Sequence, residues 1–220
     1  MGRECKRKIR GDLLFLLTVC VFSYNRAAGV MRCEAWLEAL QFAPMTTMET
    51  NLASPPLEPR QFRRVCSRFA SGVTIVSVVD CAGVPHGMTA SSFTSVSLNP
   101  PLILVCVNTG ARFLEACNSV EHFAVNILGE TQRALSERFA GSGYDRFEGV
   151  AWDPGVTGAP LLPGVLGTLE CARYRMLSAG DHEILIGRVL HANWKEGEPL
   201  IHFGSQYRGL ESSPSWWSTI

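Results

Sequence analysis

The sequence predicts a mainly β, barrel-like domain with a few peripheral helices. Three observations carry this. Short runs rich in β-branched residues recur along the chain; Gly, Pro and Asn punctuate them; and helical periodicity is confined to a few brief segments. The chain has 220 residues, 46% hydrophobic and 18% charged, enough apolar material for one sizeable core. Lys plus Arg balance Asp plus Glu, so the formal net charge is zero. That argues against a general nucleic-acid or polyanion binder, which needs a positive field.

The regular part begins near Pro59. Phe62, Val65, Cys66 and Phe69 recur at helical spacing, with Arg60, Arg63, Arg64 and Arg68 on other faces, as in an amphipathic helix. Pro59 suits its first turn and Gly72 its stop. Residues 73–79, VTIVSVV, read as a strand, and Ala82, Gly83 and Pro85 as a turn. Residues 87–98, GMTASSFTSVSL, read as extended chain, halted by Asn99-Pro100-Pro101. LILVCV, residues 102–107, reads as a buried strand. A loop, NTGAR, and a short helix around Phe113, Leu114 and Cys117 follow. HFAVNIL, residues 122–128, is another strand, and residues 131–139 a helix. Residues 140–163 are loop-like, with Gly and Pro around Trp152. Strands follow over 167–177 and 183–194, with Gly180-Asp181 as a hairpin turn, then a last strand over 200–203.

The eight cysteines are Cys5, Cys20, Cys33, Cys66, Cys81, Cys106, Cys117 and Cys171. They form no C-x-x-C pair and no zinc-ligand spacing with histidine, so buried reduced thiols are expected and no metal site. Arg3, Lys6, Arg7, Lys8 and Arg10 precede an apolar run over residues 13–22, the layout of a secretory signal. Tyr24, Asn25 and Arg26 make a poor cleavage region, Val19 weakens a lipobox ending at Cys20, and the run is short for a bilayer span. A soluble-type start at Met45 or Met48 fits better. Residues 1–57 are therefore expected to be an N-terminal extension, disordered or a start-site overcall, and the protein cytoplasmic.

Candidate chemistry sits in two segments. Residues 87–102 place Thr89, Ala90, Ser91, Ser92, Thr94, Ser95 and Ser97 on extended chain. Small hydroxyl residues are poor core material; they suit either a ligand wall or a solvated edge strand. His182 stands at the tip of the hairpin beside Asp181 and Gly180, where function concentrates, although Asp181 and His182 also read as ordinary turn residues. There is no G-x-G-x-x-G after a strand, no P-loop, no G-x-S-x-G elbow and no H-E-x-x-H helix.

Residues 58–210 resemble the short-chain NAD(P)H:flavin oxidoreductases, a flavin reductase-like family of the FMN-binding split-barrel type. The match runs in order through FASGVTIVS, GMTASSFTSVSLNPPL, VNTGARF, HFAVNIL, RFEGVAW, GDHEILIGRV and PLIHFGSQYRGL. The resemblance implies a split β-barrel, FMN or FAD as flavin, NADH or NADPH as reductant, and a homodimer with flavin near the subunit interface. It also implies a partner flavin-dependent monooxygenase or halogenase that receives reduced flavin. On this chain, Thr89, Ala90, Ser91 and Ser92 would line the flavin, and Ser95, Val96 and Ser97 would continue that wall. Asn108, Ala111 and Arg112 would approach the phosphate. Gly180, Asp181 and His182 would form the nicotinamide-side turn, with His182 as the catalytic positioning candidate, and Tyr207 would lie on the flavin side. The family commonly carries hydroxyl residues near Ala111 and at the position of Phe113, and often a basic residue near Gln206; these departures bear on phosphate binding and on FMN against FAD. The alternatives are a non-catalytic flavin-binding split barrel and a pyridoxamine-phosphate-oxidase-like enzyme. The GDH segment favours the reductase, because a pure flavin binder needs no nicotinamide site.

Overall fold

The structure, a computed structural model, describes residues 23–25, 30–32, 56–143 and 145–210. The chain divides into two compact units, Met1–Pro56 and Leu57–Ile220. In the first, β1 (Ser23–Asn25) and β2 (Val30–Arg32) pair antiparallel. The signal-like segment, the candidate starts at Met45 and Met48, and the tail over 211–220 lie outside the described residues.

In the second unit, α1 (Pro59–Cys66) starts with proline in its first turn and ends well before Gly72. Gly72 belongs instead to β3 (Ser71–Gly72). The apolar residues of α1, Phe62 and Val65, and Phe69 just beyond its end, are exposed: 57%, 66% and 81% accessible. Seven strands then make one antiparallel sheet, in the order β5 (Pro85–Ala90), β4 (Thr74–Val79), β8 (His122–Ile127), β11 (Gly167–Ala179), β12 (His182–Trp194), β7 (Pro101–Asn108) and β6 (Thr94–Leu98). The short pairs β9 (Asp153–Pro154) with β10 (Pro160–Leu161), and β13 (Ile201–Phe203) with β14 (Gln206–Arg208), stand outside it, β13 also pairing with β3.

The edge strands β5 and β6 are consecutive in the chain, joined only by residues 91–93. The chain therefore steps from one edge of the sheet to the other and draws the sheet into a barrel. Continuing the Thr94↔Leu104 register by two residues sets Ser92 opposite Cys106. There the Ser92 hydroxyl replaces the backbone pair: Cys106 N–H donates to Ser92 Oγ at 2.9 Å, and Ser92 Oγ donates to the Cys106 carbonyl at 3.4 Å. The stretch read as one extended segment is thus two strands on opposite edges. The turn from β6 into β7 holds a cis Asn99–Pro100 bond.

Strand β4 is buried along nearly its whole length because it feeds two cores. Val76 and Val78 join Ile103, Val105, Val107, Phe123 and Leu185 in one cluster, into which α2 (Arg112–Asn118) inserts Phe113, Ala116 and Cys117. Ile75 packs on the other side with Leu128, Phe139, Phe147 and Leu162, beneath α3 (Arg133–Ala140) and the 147–165 segment. Each fully buried side chain of this size contributes about 1.5–3 kcal/mol. Gly187 is required on β12, because a side chain there would run into the Phe123 ring and Cys171.

Two polar groups pin the long loop onto the barrel. The Asn126 amide, fully buried, donates to the Ile75 and Pro160 carbonyls and to Ser77 Oγ, and accepts from Leu162 N–H at 2.8 Å. Glu170, 3% accessible, accepts from Thr157 N–H and Thr157 Oγ1, both at 2.7 Å. Burial opposes its charge, but these hydrogen bonds, one from Val156 and the nearby His191 together hold its carboxyl below the usual glutamate value. The thiols divide. Cys117 and Cys171 are buried, and desolvation pushes them up to about 11 and about 12, whereas Cys66 and Cys81 are exposed rather than buried as expected.

Ser92→Ala leaves the Cys106 N–H without its partner at the barrel seam. Urea unfolding is expected to show a loss of about 1–3 kcal/mol, while Ser91→Ala, on an exposed neighbour, stays within about 0.5 kcal/mol. Equal effects would remove Ser92 from the closure.

Candidate functional site

Three of the segments singled out in the sequence meet at one rim of the barrel. Strand β7 carries Cys106, the partner of Ser92, and ends two residues later at Asn108. Asn108 lies directly across from His182, the first residue of β12. Thr109 then ties the two loops together: its N–H and its Oγ1 both donate to the Asp181 carbonyl, at 3.0 and 3.2 Å. Asn108 Oδ1 accepts from Gly110 N–H, folding the loop back so that Ala111 stands at the N-cap of α2 and Arg112 opens the helix.

The hairpin tip is a tight two-residue turn, with Ala179 paired to His182. Gly180 has φ +64° and Asp181 does not share the left-handed conformation, the pattern of a type II′ turn that matches strand twist. His182 Nδ1 lies 2.7 Å from Asp181 Oδ1. A carboxylate only accepts, so Nδ1 carries the proton and a neutral His182 presents Nε2 as an acceptor. The hydrogen bond from His182, and its charge when the ring is protonated, hold the Asp181 carboxyl below its ordinary value.

The remaining candidates are placed as follows. Ala90 is buried in the core, and Ser91 is exposed at the crossing. Thr89 Oγ1 donates to the Ser136 carbonyl at 2.6 Å, and Ser136 Oγ is 2.9 Å from Tyr207 Oη, so Tyr207 is linked to β5 through a buried serine of α3. The Arg133 guanidinium lies 5.4 Å from the Tyr207 ring centre. Ser95, Val96 and Ser97 sit on β6, which runs away from the rim: Ser97 faces Leu102, six residues from Asn108 on β7, or about 20 Å. Arg112 is exposed, and its Nη2 donates to the Ser142 and Gly143 carbonyls at 3.0 and 3.5 Å.

Sequence reasoning assigned no role to Thr109, Ser136 or Arg146. Thr109 sits inside the NTGAR loop and was findable there; Ser136 and Arg146 act on residues far away in sequence and carry no local signal.

The donor set fits a flavin. The rim offers the Ser91 hydroxyl, the Asn108 amide and acceptor lone pairs on Ser92 and Thr109, whose hydroxyl protons go to the Cys106 and Asp181 carbonyls, with a guanidinium at the start of α2. An isoalloxazine carries ring carbonyls and nitrogens, and a ribityl phosphate carries hydroxyls and an anion, which these groups complement. Among the described residues, no group of three or more His, Cys, Asp or Glu side chains could hold a metal.

A family model described as flavin reductase like domain matches residues 66–211. The chain belongs to the flavin reductase-like family. A Rhizobium meliloti relative named stachydrine N-demethylase reductase subunit is 44% identical over 132 residues, covering 60% of this chain and 57% of its own length. Another from the same organism, named as a flavin reductase, is 47% identical and covered over 42% of its length, so the chain spans about half of these curated relatives. Among solved structures, the flavin reductase component of a bacterial two-component tryptophan halogenase is 40% identical with a TM-score of 0.66, over 71% of this chain and 100% of that one. The Streptomyces globisporus NADH:FAD oxidoreductase, in complex with NAD and FAD fragments, is 38% identical with a TM-score of 0.66, over 74% of this chain and 99% of that one. These flavin reductases share the split barrel described above. No helix among the described residues is long and apolar enough to cross a membrane.

Proposed function

We propose that this protein is an NAD(P)H-dependent flavin reductase that passes reduced FMN or FAD to a partner flavin-dependent monooxygenase or halogenase. The observation that carries the reading is the single rim at which the Ser91-Ser92 crossing, the Asn108–Arg112 loop and the Gly180–His182 turn are hydrogen-bonded together. The flavin supplies the acceptor for a hydride from the nicotinamide ring. The protein's own work is to hold two planar rings in register, which calls for positioning groups rather than an acid–base pair.

The residues divide that work. Ser91 offers a hydroxyl along the flavin wall, and Ser92 an oxygen lone pair. Ser92 is itself locked by Cys106, which keeps the wall rigid. Arg112 gives a planar donor to the phosphate. His182, its Nδ1 proton held by Asp181, directs Nε2 as an acceptor toward the carboxamide of the nicotinamide. Relatives named as reductase subunits of a flavin-dependent monooxygenase and of a tryptophan halogenase support the partner class. The protein acts as a homodimer in this reading. Support comes from exposed apolar side chains on α1 and on β6, β11 and β12, including Phe62, Leu98, Tyr174 and Trp194.

The deciding experiment follows oxidation of NADH and NADPH by the purified full chain with FMN, FAD or no flavin added. Turnover that requires added flavin is expected; bound flavin without turnover would replace the reductase with a flavin-binding protein. His182→Ala is expected to raise the KM for reduced nicotinamide about tenfold while flavin affinity stays within about twofold; equal losses would contradict its place. Arg112→Ala is expected to weaken FMN about tenfold or more and leave riboflavin, which lacks the phosphate, nearly unchanged. Sedimentation is expected to give a dimer at micromolar concentration, and a monomer there would remove the dimeric reading.

A further inference from the structure

Strand β12 is longer than one of its two neighbours. It pairs with β11 along its whole length, but with β7 only from His182 to Arg188. Among the described residues, 189–194 therefore pair on one side only and leave an open edge on the other. One bond gives the backbone direction there. Lys195 N–H donates to the Leu166 carbonyl at 2.8 Å, just past the Gly167↔Trp194 pair. In an antiparallel ladder such a bond flanks a pair whose own N–H and C=O groups point away from each other. Trp194 and, two residues back, Ala192 thus turn theirs to the open side.

The side chains match that openness. Leu190 and Trp194 are 42% and 78% accessible, and Ala192 between them is exposed. The stretch VLHANW holds no Pro, Lys, Arg, Asp or Glu to keep another strand off. A cavity of about 190 Å³ lies beside it, with Val165, Leu166, Thr168, Trp194 and Lys195 in its lining. That is below the usual range for ligands, about 300–1,000 Å³, and suits one large side chain. An open edge with an apolar face and an anchoring cavity is the geometry of strand addition.

One segment of the chain fits in place and in kind. β14 ends at Arg208, and a side chain on Gly209 would lie 3.6 Å from the Glu130 carboxylate. A side chain on the adjoining Gly129 would lie 3.5 Å from Leu166, whose carbonyl holds Lys195. Four neighbour steps, about 20 Å in all, thus separate Gly209 from Lys195. Residues 211–220, ESSPSWWSTI, span about 33 Å when extended. Some six of them cover the gap, which brings Trp216 level with the cavity. Trp217, Ser218, Thr219 and Ile220 remain for the edge; aromatic and β-branched residues there favour a strand. Entering at Trp194 and running back toward Val189, they lie antiparallel to β12.

We propose that residues 216–220 of this chain add as an antiparallel strand to the open edge of β12, with the Trp216 indole in the cavity beside Trp194. Their backbone groups take up those of Ala192 and Trp194, and their apolar side chains cover Leu190 and Trp194. The dimer surface keeps Phe62, Leu98 and Tyr174. This docking is independent of the reductase reading.

The test is amide hydrogen exchange of the full chain, resolved to single residues by mass spectrometry. Wild type is compared with the double variant Trp216→Ser, Trp217→Ser, which alters no residue of the described fold, at two protein concentrations about a hundredfold apart. Ala192 and Trp194 amides are expected to exchange at least about tenfold slower than free amides in wild type at both concentrations, and at the free rate in the double variant. A reciprocal variant, Ala192→Pro, removes a donor from the open side, where proline is tolerated. If it folds, chymotrypsin is expected to cut after Trp216 and Trp217 about tenfold faster than in wild type. The proposal is overturned if the two wild-type amides exchange at the free rate, if the double variant keeps their protection, or if protection disappears on dilution, which would make a second copy the occupant. Unchanged cleavage in folded Ala192→Pro overturns it too.

Discussion

Everything in this structure depends on one crossing of the chain. A seven-stranded antiparallel sheet has two edges, and each edge exposes unpaired backbone groups. Here both edge strands belong to one continuous segment, and residues 91–93 carry the chain between them. The Ser92 hydroxyl satisfies Cys106 N–H where a strand residue would otherwise pair. An apolar side chain at that position would leave a partly buried donor open. The small residues of this segment are therefore needed twice: for closure and, in the proposed reading, for close approach of a ligand.

The closure also fixes the rim. Asn108 is two residues beyond Cys106 on the same strand, so locking Cys106 sets the starting point of the Asn108–Arg112 loop. That loop in turn binds the Gly180–His182 turn through Thr109. The groups proposed for the flavin and for the nicotinamide are thus parts of one hydrogen-bonded body. This arrangement suits a reaction in which cofactors perform the chemistry and alignment is what protein can add. Arg112 extends the body toward α3, through the Ser142 and Gly143 carbonyls.

Much of this was legible in the sequence, and the rest was hidden for a physical reason. The β-branched runs, the hairpin at Gly180-Asp181 and the helix after NTGAR are local signals, and the strands and helices stand close to where those signals place them. GMTASSFTSVSL looked continuous because nothing local marks Ser91-Ser92-Phe93 as a change of edge; the partner, Cys106, is 14 residues away. Asn126 sits unremarked inside an apolar run, yet it anchors a loop whose contact at Leu162 is 36 residues distant. The resemblance put Ser95, Val96 and Ser97 on the flavin wall, and no local signal showed that β6 runs away from the Asn108–His182 end of the sheet. The helix at Pro59 was read correctly as amphipathic, and its apolar face stays exposed among the described residues. Arg146 belongs to a segment that was noticed, but its partners Gly87 and Gly141 lie on other elements.

The link from Thr89 through Ser136 to Tyr207 has a practical meaning for anyone altering this protein. Strand β14 contributes a phenol that reaches the same buried serine whose carbonyl holds Thr89 of β5. The carboxyl-terminal part of the domain is mechanically joined to β5, although more than a hundred residues separate Thr89 and Tyr207 in the chain. A tag, linker or fusion partner attached directly behind β14 would load that junction, so an attachment point there calls for a flexible spacer.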